Sequence, residues 1–289
     1  MHPFTYARPD TVREAVALLA EHAAEAAILA GGTDLIVALR DWTAQPRLVV
    51  DIKHIRDLPA GVFIDGGWLR IGAATTMATV ESDGRVLSGF PALAEAARTV
   101  GSVQIRNRAT LAGNVCHASP AADTVPPLLA YGAMIRTESV GGTRRVPATE
   151  FFTGPGRTVL EPGEVVTSVD LPLAAEPRGA AFARLTRRRG VDLATVNLCC
   201  LVDGSGRARF AYGAVAPTAF LVSEETGVLA DEAADVGIKT EALQRLISHS
   251  RPISDVRASR EYREAMLLTM SRRALAVSLE RLKVAQGAA

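Results

Sequence analysis

Residues 101–129 constrain the fold more than any other part of the sequence, because small residues run through almost all of the stretch. Between Ala109 and Val125, the large aliphatic side chains are those of Leu111 and Val115. Glycine and alanine leave room for another backbone or a ligand to approach closely. Hardly any of the stretch has the pattern of an ordinary amphipathic element. By residue type alone, a plain Gly/Ala-rich loop between two helices is as good an interpretation as a binding loop.

Short polar side chains are interspersed among these small residues. Thr110, Asn114 and Ser119 offer hydroxyl or amide groups, and Asp123 offers a carboxylate that can accept hydrogen bonds from sugar hydroxyls. Exposed backbone N–H groups add further donors. This combination is typical of a site for an anionic, hydroxyl-bearing ligand such as a nucleotide cofactor.

A second glycine-containing turn lies near the N-terminus. A short apolar strand over 27–30 runs into the sequence Gly-Gly-Thr-Asp at 31–34, after which Leu35 opens a new apolar segment. Two consecutive glycines permit positive φ, so successive N–H groups can face one point and form an anion nest. One Gly-Gly turn is weak evidence for an anion-binding site, since hairpins use such turns routinely. Two glycine-containing loops in one chain are stronger evidence. Asp34 has two open interpretations, a cap for the following helix and a ligand contact.

The whole chain excludes several function classes. Its 289 residues suffice for one large domain or two of ordinary size. A formal net charge of +1 leaves no electrostatic footprint for nucleic acid or an anionic membrane. No apolar run reaches the roughly 20 residues of a membrane span, and residues 1–6 lack the order of a signal peptide. A cytoplasmic location is therefore expected.

The sequence contains no cluster of metal-ligand residues and none of the common catalytic motifs. The three cysteines form no Cys-x-x-Cys pair, and the five histidines are scattered. His117 is interpreted as a polar lining residue. The sequence contains no Gly-x-Ser-x-Gly elbow, no phosphate-loop lysine motif and no Gly-x-Gly-x-x-Gly fingerprint. A dinucleotide would therefore have to be held by paired loops that converge through many weak N–H contacts.

The pattern along the chain predicts alternating helices and strands. Thr11 and Glu14 form a capping box for a first helix, a helix is predicted over 35–40, and strands over 27–30 and 47–52 fit a small parallel sheet. Residues 61–67 are predicted to be a turn-rich joint, 172–179 a domain boundary and 285–289 a frayed tail. Further strands are predicted over 68–73, 133–137, 144–147, 163–171, 195–202 and 207–215, and further helices over 77–81, 91–100, 127–131, 240–248 and 259–281.

Three motifs also carry a family resemblance. They are Ala30-Gly31-Gly32-Thr33-Asp34-Leu35, Thr110-Leu111-Ala112-Gly113-Asn114 and the run Ala-Ser-Pro-Ala-Ala-Asp-Thr-Val-Pro at 118–126. Together they resemble the FAD-binding medium subunit of the molybdenum hydroxylases, the family of the xanthine dehydrogenase and carbon monoxide dehydrogenase flavoproteins. The resemblance runs over nearly the whole chain. The sequence departs from the family at Ala112, where many members carry glycine.

The resemblance implies an α+β fold with two domains. A two-subdomain FAD-binding domain of the vanillyl-alcohol-oxidase/PCMH type would cover residues 1–175, with subdomains of about 1–57 and 58–175. A C-terminal flavoprotein domain with a small antiparallel sheet and helices would cover 176–289.

The resemblance also implies the cofactor contacts. At the position of Arg184, similar sequences tend to have a lysine that reaches the pyrimidine edge of the flavin, where a cation favours the reduced, anionic form. The alternative, a solvated or subunit-facing basic patch, suits Arg187–Arg189 better. No residue of this chain is expected to be catalytic or to bind a metal. The implied FAD contacts are Leu29, Ala30, Gly31, Gly32, Thr33, Asp34, Leu35, Thr110, Ala112, Gly113, Asn114, Ser119, Ala122, Asp123 and Arg184.

The implied activity is electron transfer within a complex. The flavin would take electrons from a small [2Fe–2S] subunit and pass them to an external acceptor, while a large subunit with the molybdenum cofactor oxidises the substrate. Two such trimers would form a heterohexamer. The 4-hydroxybenzoyl-CoA reductase branch, which has a cysteine-bearing insertion, does not fit the few cysteines here. The competing hypotheses are a flavin-free scaffold subunit and a free-standing FAD oxidase.

Overall fold

The computed structural model describes residues 2–287 and has an α+β architecture with three main sheets. Its helices are α1 (Val12–His22), α2 (Leu35–Arg40), α3 (Met77–Ser82), α4 (Gly84–Gly89), α5 (Pro91–Thr99), α6 (Val103–Arg106), α7 (Leu111–His117), α8 (Val125–Ala130), α9 (Ala148–Phe151), α10 (Val236–Ile247) and α11 (Arg260–Gly287). Its strands are β1 (Thr5–Ala7), β2 (Ala26–Leu29), β3 (Leu48–Asp51), β4 (Val62–Asp65), β5 (Trp68–Gly72), β6 (Met134–Ser139), β7 (Gly142–Pro147), β8 (Phe152–Gly154), β9 (Arg157–Thr158), β10 (Val165–Pro172), β11 (Arg178–Leu185), β12 (Val196–Asp203), β13 (Ala208–Gly213) and β14 (Phe220–Glu224).

The N-terminal sheet is parallel, with the order β1-β3-β2. Helix α1 begins where the sequence predicts, because the Thr11 hydroxyl accepts a hydrogen bond from the Glu14 N–H at 3.2 Å. The carboxylate of Glu14 returns to the N–H of Asp10 rather than to that of Thr11, so the capping box is displaced by one residue. The buried stripe of α1 lies at the positions of one helix face.

The second sheet is antiparallel, with the order β4-β5-β10-β6-β7. The prediction of a turn-rich joint over 61–67 is wrong for most of that segment, since 62–65 form β4. Val62 pairs with Ile71 of β5. Only Gly66 and Gly67 make the hairpin turn, at φ +54° and +82°. Pairing with β5 overrides the turn tendency of the flanking glycines.

The central stretch 101–129 contains three short helices, α6, α7 and α8, rather than one loop. Ser102 and Thr110 each cap the helix that follows them through their hydroxyl groups. Buried small residues on α7 and α8 pack into the larger hydrophobic core, which also includes the inner faces of the first two sheets. The small residues let these helices lie close to the sheets, with α7 against β10 and α8 against β12 and β13.

The third sheet is antiparallel, with the order β11-β12-β13-β14, and it packs against α10 and α11 around a second core. Residues 173–177 connect β10 to β11, within the segment predicted as a boundary. Helix α11 continues to Gly287, so residues 285–287 are helical and not frayed; Ala288 and Ala289 lie outside the described residues. None of the helices within 2–287 combines the length and apolarity needed to cross a membrane.

Helix α11 lies directly on β11 at Gly179. A Cβ added there would be 1.9 Å from the carbonyl oxygen of Ser278 and 2.5 Å from the amide nitrogen of Leu282. We expect Gly179→Ala to lower the free energy of unfolding by roughly 2–3 kcal/mol, because helix and strand would have to separate. Thermal or urea unfolding measures the change. Gly84→Ala is the matched control, since a Cβ there meets no atom within 4 Å; equal stability of the two variants would contradict this packing.

Candidate functional site

The turn between β2 and α2 has two features that an anion-binding nest requires, a left-handed residue and backbone N–H groups without a protein acceptor among residues 2–287. Gly32 has a φ of +75°, in the left-handed region that favours glycine. Among residues 2–287, no acceptor is hydrogen-bonded to the backbone N–H groups of residues 31–34. The turn is half-buried except for the exposed Asp34. Four consecutive N–H donors thus stand free at a bend that can hold the oxygens of a phosphate or diphosphate.

This turn is in direct contact with the segment that precedes α7. A Cβ added to Gly31 would lie 2.0 Å from the carbonyl oxygen of Arg108 and 2.9 Å from the Cα of Ala109. Only glycine permits so close an approach of two backbones. At the other end of α7, His117 Nε2 lies 3.9 Å from Asp34 Oδ1. The Gly31-Gly32 turn and helix α7, far apart in the sequence, therefore lie side by side.

Asp34 does not cap α2 with its side chain. Its carboxylate makes no capping hydrogen bond and is exposed beside His117. The capping interpretation of Asp34 is therefore wrong, and a ligand contact stays a prediction. Its neighbours in the predicted site, Leu29, Ala30, Thr33 and Leu35, are half-buried around the turn.

The first turn of α7 contains three of the predicted site residues. The buried Thr110 hydroxyl accepts from the Gly113 N–H at 3.0 Å. A Cβ on Gly113 would be 2.8 Å from that hydroxyl oxygen, so glycine makes room for the cap. Ala112 is buried in the larger core without positive φ, so an alanine is unstrained where similar sequences carry glycine.

Asn114 and Ser119 help to shape the loop between α7 and α8. The Asn114 Oδ1 accepts from the Thr124 hydroxyl at 2.7 Å, and the Ser119 hydroxyl accepts from the Ala121 N–H at 3.3 Å. Ala122 is buried in the core. These contacts fix the loop locally, and a role for these residues in binding a cofactor stays a prediction.

Asp123 is bound on three sides by other parts of the protein. Its Oδ1 accepts from Asn197 Nδ2 at 2.7 Å, and its Oδ2 accepts from the Thr99 hydroxyl at 3.1 Å and lies 3.1 Å from Arg184 Nε. Burial raises the pKa of Asp123, opposed by the charge of Arg184 and by the two hydrogen bonds. Asp123 thus joins the central stretch to α5, β11 and β12.

Arg184 is directed toward these same groups. Besides facing Asp123, it donates to the carbonyl oxygens of Thr99, at 3.4 Å, and of Asp192. Its side chain is only 13% exposed. Contact with a flavin stays a prediction for Arg184. The neighbouring Arg187 forms an ion pair with Asp192, which lowers the pKa of Asp192 to about 2.

Sequence reasoning missed Asn197 and Thr99. Asn197 is fully buried on β12, and its Oδ1 has no hydrogen-bond partner within 2–287. A Cβ on Gly213 would be 2.1 Å from that Oδ1, so the neighbouring strand leaves space for the amide. A lone asparagine in the otherwise apolar strand Val-Asn-Leu-Cys-Cys-Leu-Val was the signal that could have identified it.

Nothing at this site resembles a metal centre. Within the part of the chain that the structure describes, no three His, Cys, Asp or Glu residues are grouped as metal ligands. The thiol of Cys116, on α7, has its pKa raised to about 12 by burial, so it is not a reactive thiolate. The arrangement is suited to holding an anionic ligand through backbone N–H groups.

Comparison with known sequence families gives two matches. Residues 2–174 match the family described as the FAD binding domain in molybdopterin dehydrogenase. Residues 180–277 match the CO dehydrogenase flavoprotein C-terminal domain.

Individual relatives match over almost the full length. The chain is 33% identical over 280 residues to the putative xanthine dehydrogenase FAD-binding subunit of Escherichia coli K12, covering 94% of each chain. It is 34% identical over 276 residues to the carbon monoxide dehydrogenase medium chain of Hydrogenophaga pseudoflava, covering 94% of this chain and 96% of the relative. A chain of the reconstituted CO dehydrogenase from Oligotropha carboxidovorans superposes with a TM-score of 0.89 at 30% identity, covering 97% of this chain and 99% of that one.

Proposed function

This chain belongs to the family of FAD-binding medium subunits of the molybdenum hydroxylases, and from that membership we propose that it is the electron-transfer subunit of such an enzyme. When bound, FAD would take up electrons from [2Fe–2S] clusters of a partner subunit and deliver them to an external acceptor. Substrate oxidation would occur in a third subunit, at the molybdenum cofactor. We further propose that two such trimers form a heterohexamer, with the cytoplasm as the predicted location.

The observation that carries the proposal is the Gly31-Gly32 turn with its free N–H groups. Four consecutive N–H donors without an acceptor among residues 2–287 could bind the diphosphate of a dinucleotide, whose negative charge they would share without any lysine. The contact between Gly31 and the backbone at 108–109 keeps this turn beside α7. The residues on the first turn of α7, Ala112 and Gly113, would then face the same ligand.

Asp123 and Arg184 would have a more indirect part than the resemblance implies. Since the two side chains form an ion pair, their combined charge is closer to zero than that of a free arginine. A cation favours the reduced, anionic flavin by stabilising its charge. Paired with Asp123, Arg184 would therefore raise the flavin potential less than an unpaired lysine or arginine in the same place.

We expect the purified chain to be yellow, with flavin absorption near ~450 nm, and to take up FAD when stripped. Mass spectrometry of co-purifying proteins should find a molybdenum-cofactor subunit and an iron–sulfur subunit. Adding the reduced iron–sulfur subunit should then bleach the flavin band. A colourless protein that takes up no FAD would instead support the scaffold hypothesis, and turnover of a small substrate by this chain alone would support the oxidase hypothesis.

A further inference from the structure

A second concave site lies away from the glycine turns, where α4 and α5 meet β11 and α11. The cavity measures about 560 Å³, within the usual range for small-molecule sites. Its wall includes apolar side chains of α11, Val277 and Val284, and polar groups of Tyr131 and Arg178. Neither the predicted cofactor contacts nor the turns around Gly31 belong to this wall.

Arg178 is held in the wall by two aromatic rings. Its guanidinium carbon lies 4.8 Å from the ring centroids of both Phe90 and Tyr131. Both rings are fully buried and pack edge-to-face, with centroids 5.0 Å apart. The guanidinium is thus fixed in place by cation–π contacts rather than left mobile on the surface.

The hydrogen-bonding capacity of Arg178 is largely unused. A guanidinium has five N–H donors, yet within residues 2–287 only Nη2 makes contacts, to the carbonyl oxygens of Gly89 at 3.4 Å and Pro172 at 3.5 Å. The Nε is buried and has no hydrogen-bond partner in the described part of the chain. No carboxylate in the described chain forms an ion pair with Arg178. A fixed, partly buried cation therefore lacks a counter-ion.

The surrounding charges favour an anion. Arg281 also lines the cavity, and Glu95 neutralises it through an ion pair. Burial lowers the pKa of Arg178; Tyr131 opposes this shift, and the positive charge of nearby Arg209 adds to it. Among the described residues of the wall, the acidic side chain is that of Glu280, and it is exposed.

We propose that this cavity binds a small organic acid as its carboxylate, with the carboxylate on the guanidinium of Arg178 and the apolar body against Val277 and Val284. The planar fork of arginine matches the two oxygens of a carboxylate, which makes charge-assisted, bidentate hydrogen bonds. The carboxylate could belong to a free metabolite or to a side chain of a partner subunit. Binding of a free acid by the isolated chain distinguishes the first source from the second.

A calorimetric titration of the FAD-loaded full chain with benzoate tests this proposal. FAD loading keeps the glycine turn from competing for the anion. We expect saturable binding of one benzoate, no binding of the neutral benzamide, and at least about tenfold weaker benzoate binding by Arg178→Met, since a hydrogen bond to a charged group is lost. Inorganic phosphate serves as a second probe, expected to bind more weakly because it has no apolar body.

Two further variants provide controls. Arg13→Met removes an exposed arginine from α1 and should leave benzoate binding unchanged. Val284→Trp fills the cavity from an exposed helix position and should block binding without changing Arg178, which keeps the test valid if Arg178→Met fails to fold. Absence of saturable benzoate binding by the isolated chain, or equal binding by Val284→Trp and wild type, would overturn the proposal for a free acid. If the isolated chain binds no free acid and Arg178 becomes shielded from solvent only in the assembled complex, the carboxylate belongs to the partner subunit.

Discussion

Gly32→Val is expected to reduce FAD affinity at least about a hundredfold while the protein stays folded. A branched side chain is strongly disfavoured at the φ of +75° that Gly32 adopts. Its Cβ would also lie 3.0 Å from Leu29 Cδ1 and 3.3 Å from Ile36 Cγ1. The turn would have to adopt another backbone conformation, which would reorient its N–H groups. Losing even two charge-assisted hydrogen bonds, at about 1.5–3 kcal/mol each, corresponds to a loss of this size.

The measurement is fluorescence titration of the flavin-stripped protein with FAD, alongside circular dichroism to verify the fold. Gly227→Val is the matched control, because Gly227 has a similar φ of +80° but no atom within 4 Å of an added Cβ. Backbone strain is thus comparable in the two variants, which differ in their position and in the contacts of the added side chain. Wild-type FAD affinity in Gly32→Val would show that the nest does not hold the diphosphate.

Asp123→Ala is expected to destabilise the protein by about 3–5 kcal/mol. The change removes the anion of a buried ion pair and leaves the charge of Arg184 uncompensated, which is among the costliest of single substitutions. It also leaves the amide of Asn197 without its shortest hydrogen bond. A loss of ~3 kcal/mol corresponds to a melting temperature roughly 6–12 °C lower. Differential scanning calorimetry of the variant and of wild type, both stripped of FAD, measures the shift.

A double-mutant cycle separates the structural role of Asp123 from a role in binding. Asp123→Ala combined with Arg184→Met should recover most of the lost stability, because no unpaired charge remains. FAD content per folded molecule is measured for each variant. If Asp123→Ala melted like wild type but lost FAD, Asp123 would be a cofactor ligand, as the sequence resemblance implies, rather than a residue that holds the structure together.

Local sequence determined the elements whose causes lie within a few residues. Thr11 caps α1, and four apolar residues at helical spacing form its buried face. The bounds predicted for α2, 35–40, are those of the structure. The Gly-Gly turn indicated a left-handed residue, which Gly32 is. The three motifs at 30–35, 110–114 and 118–126 together also indicated the family, which the matches over 2–174 and 180–277 confirm.

Tertiary structure alone decided which distant groups meet. The segment 62–65 became a strand because β5 pairs with it. Gly31 must be glycine because the backbone at 108–109 lies against it. Asp123, for which binding to sugar hydroxyls stays a prediction, takes hydrogen bonds from residues 24 and 74 positions away in the sequence. Local propensity reflects interactions over one turn or one hairpin, whereas a buried polar group takes whichever partners the packing of the whole chain brings to it.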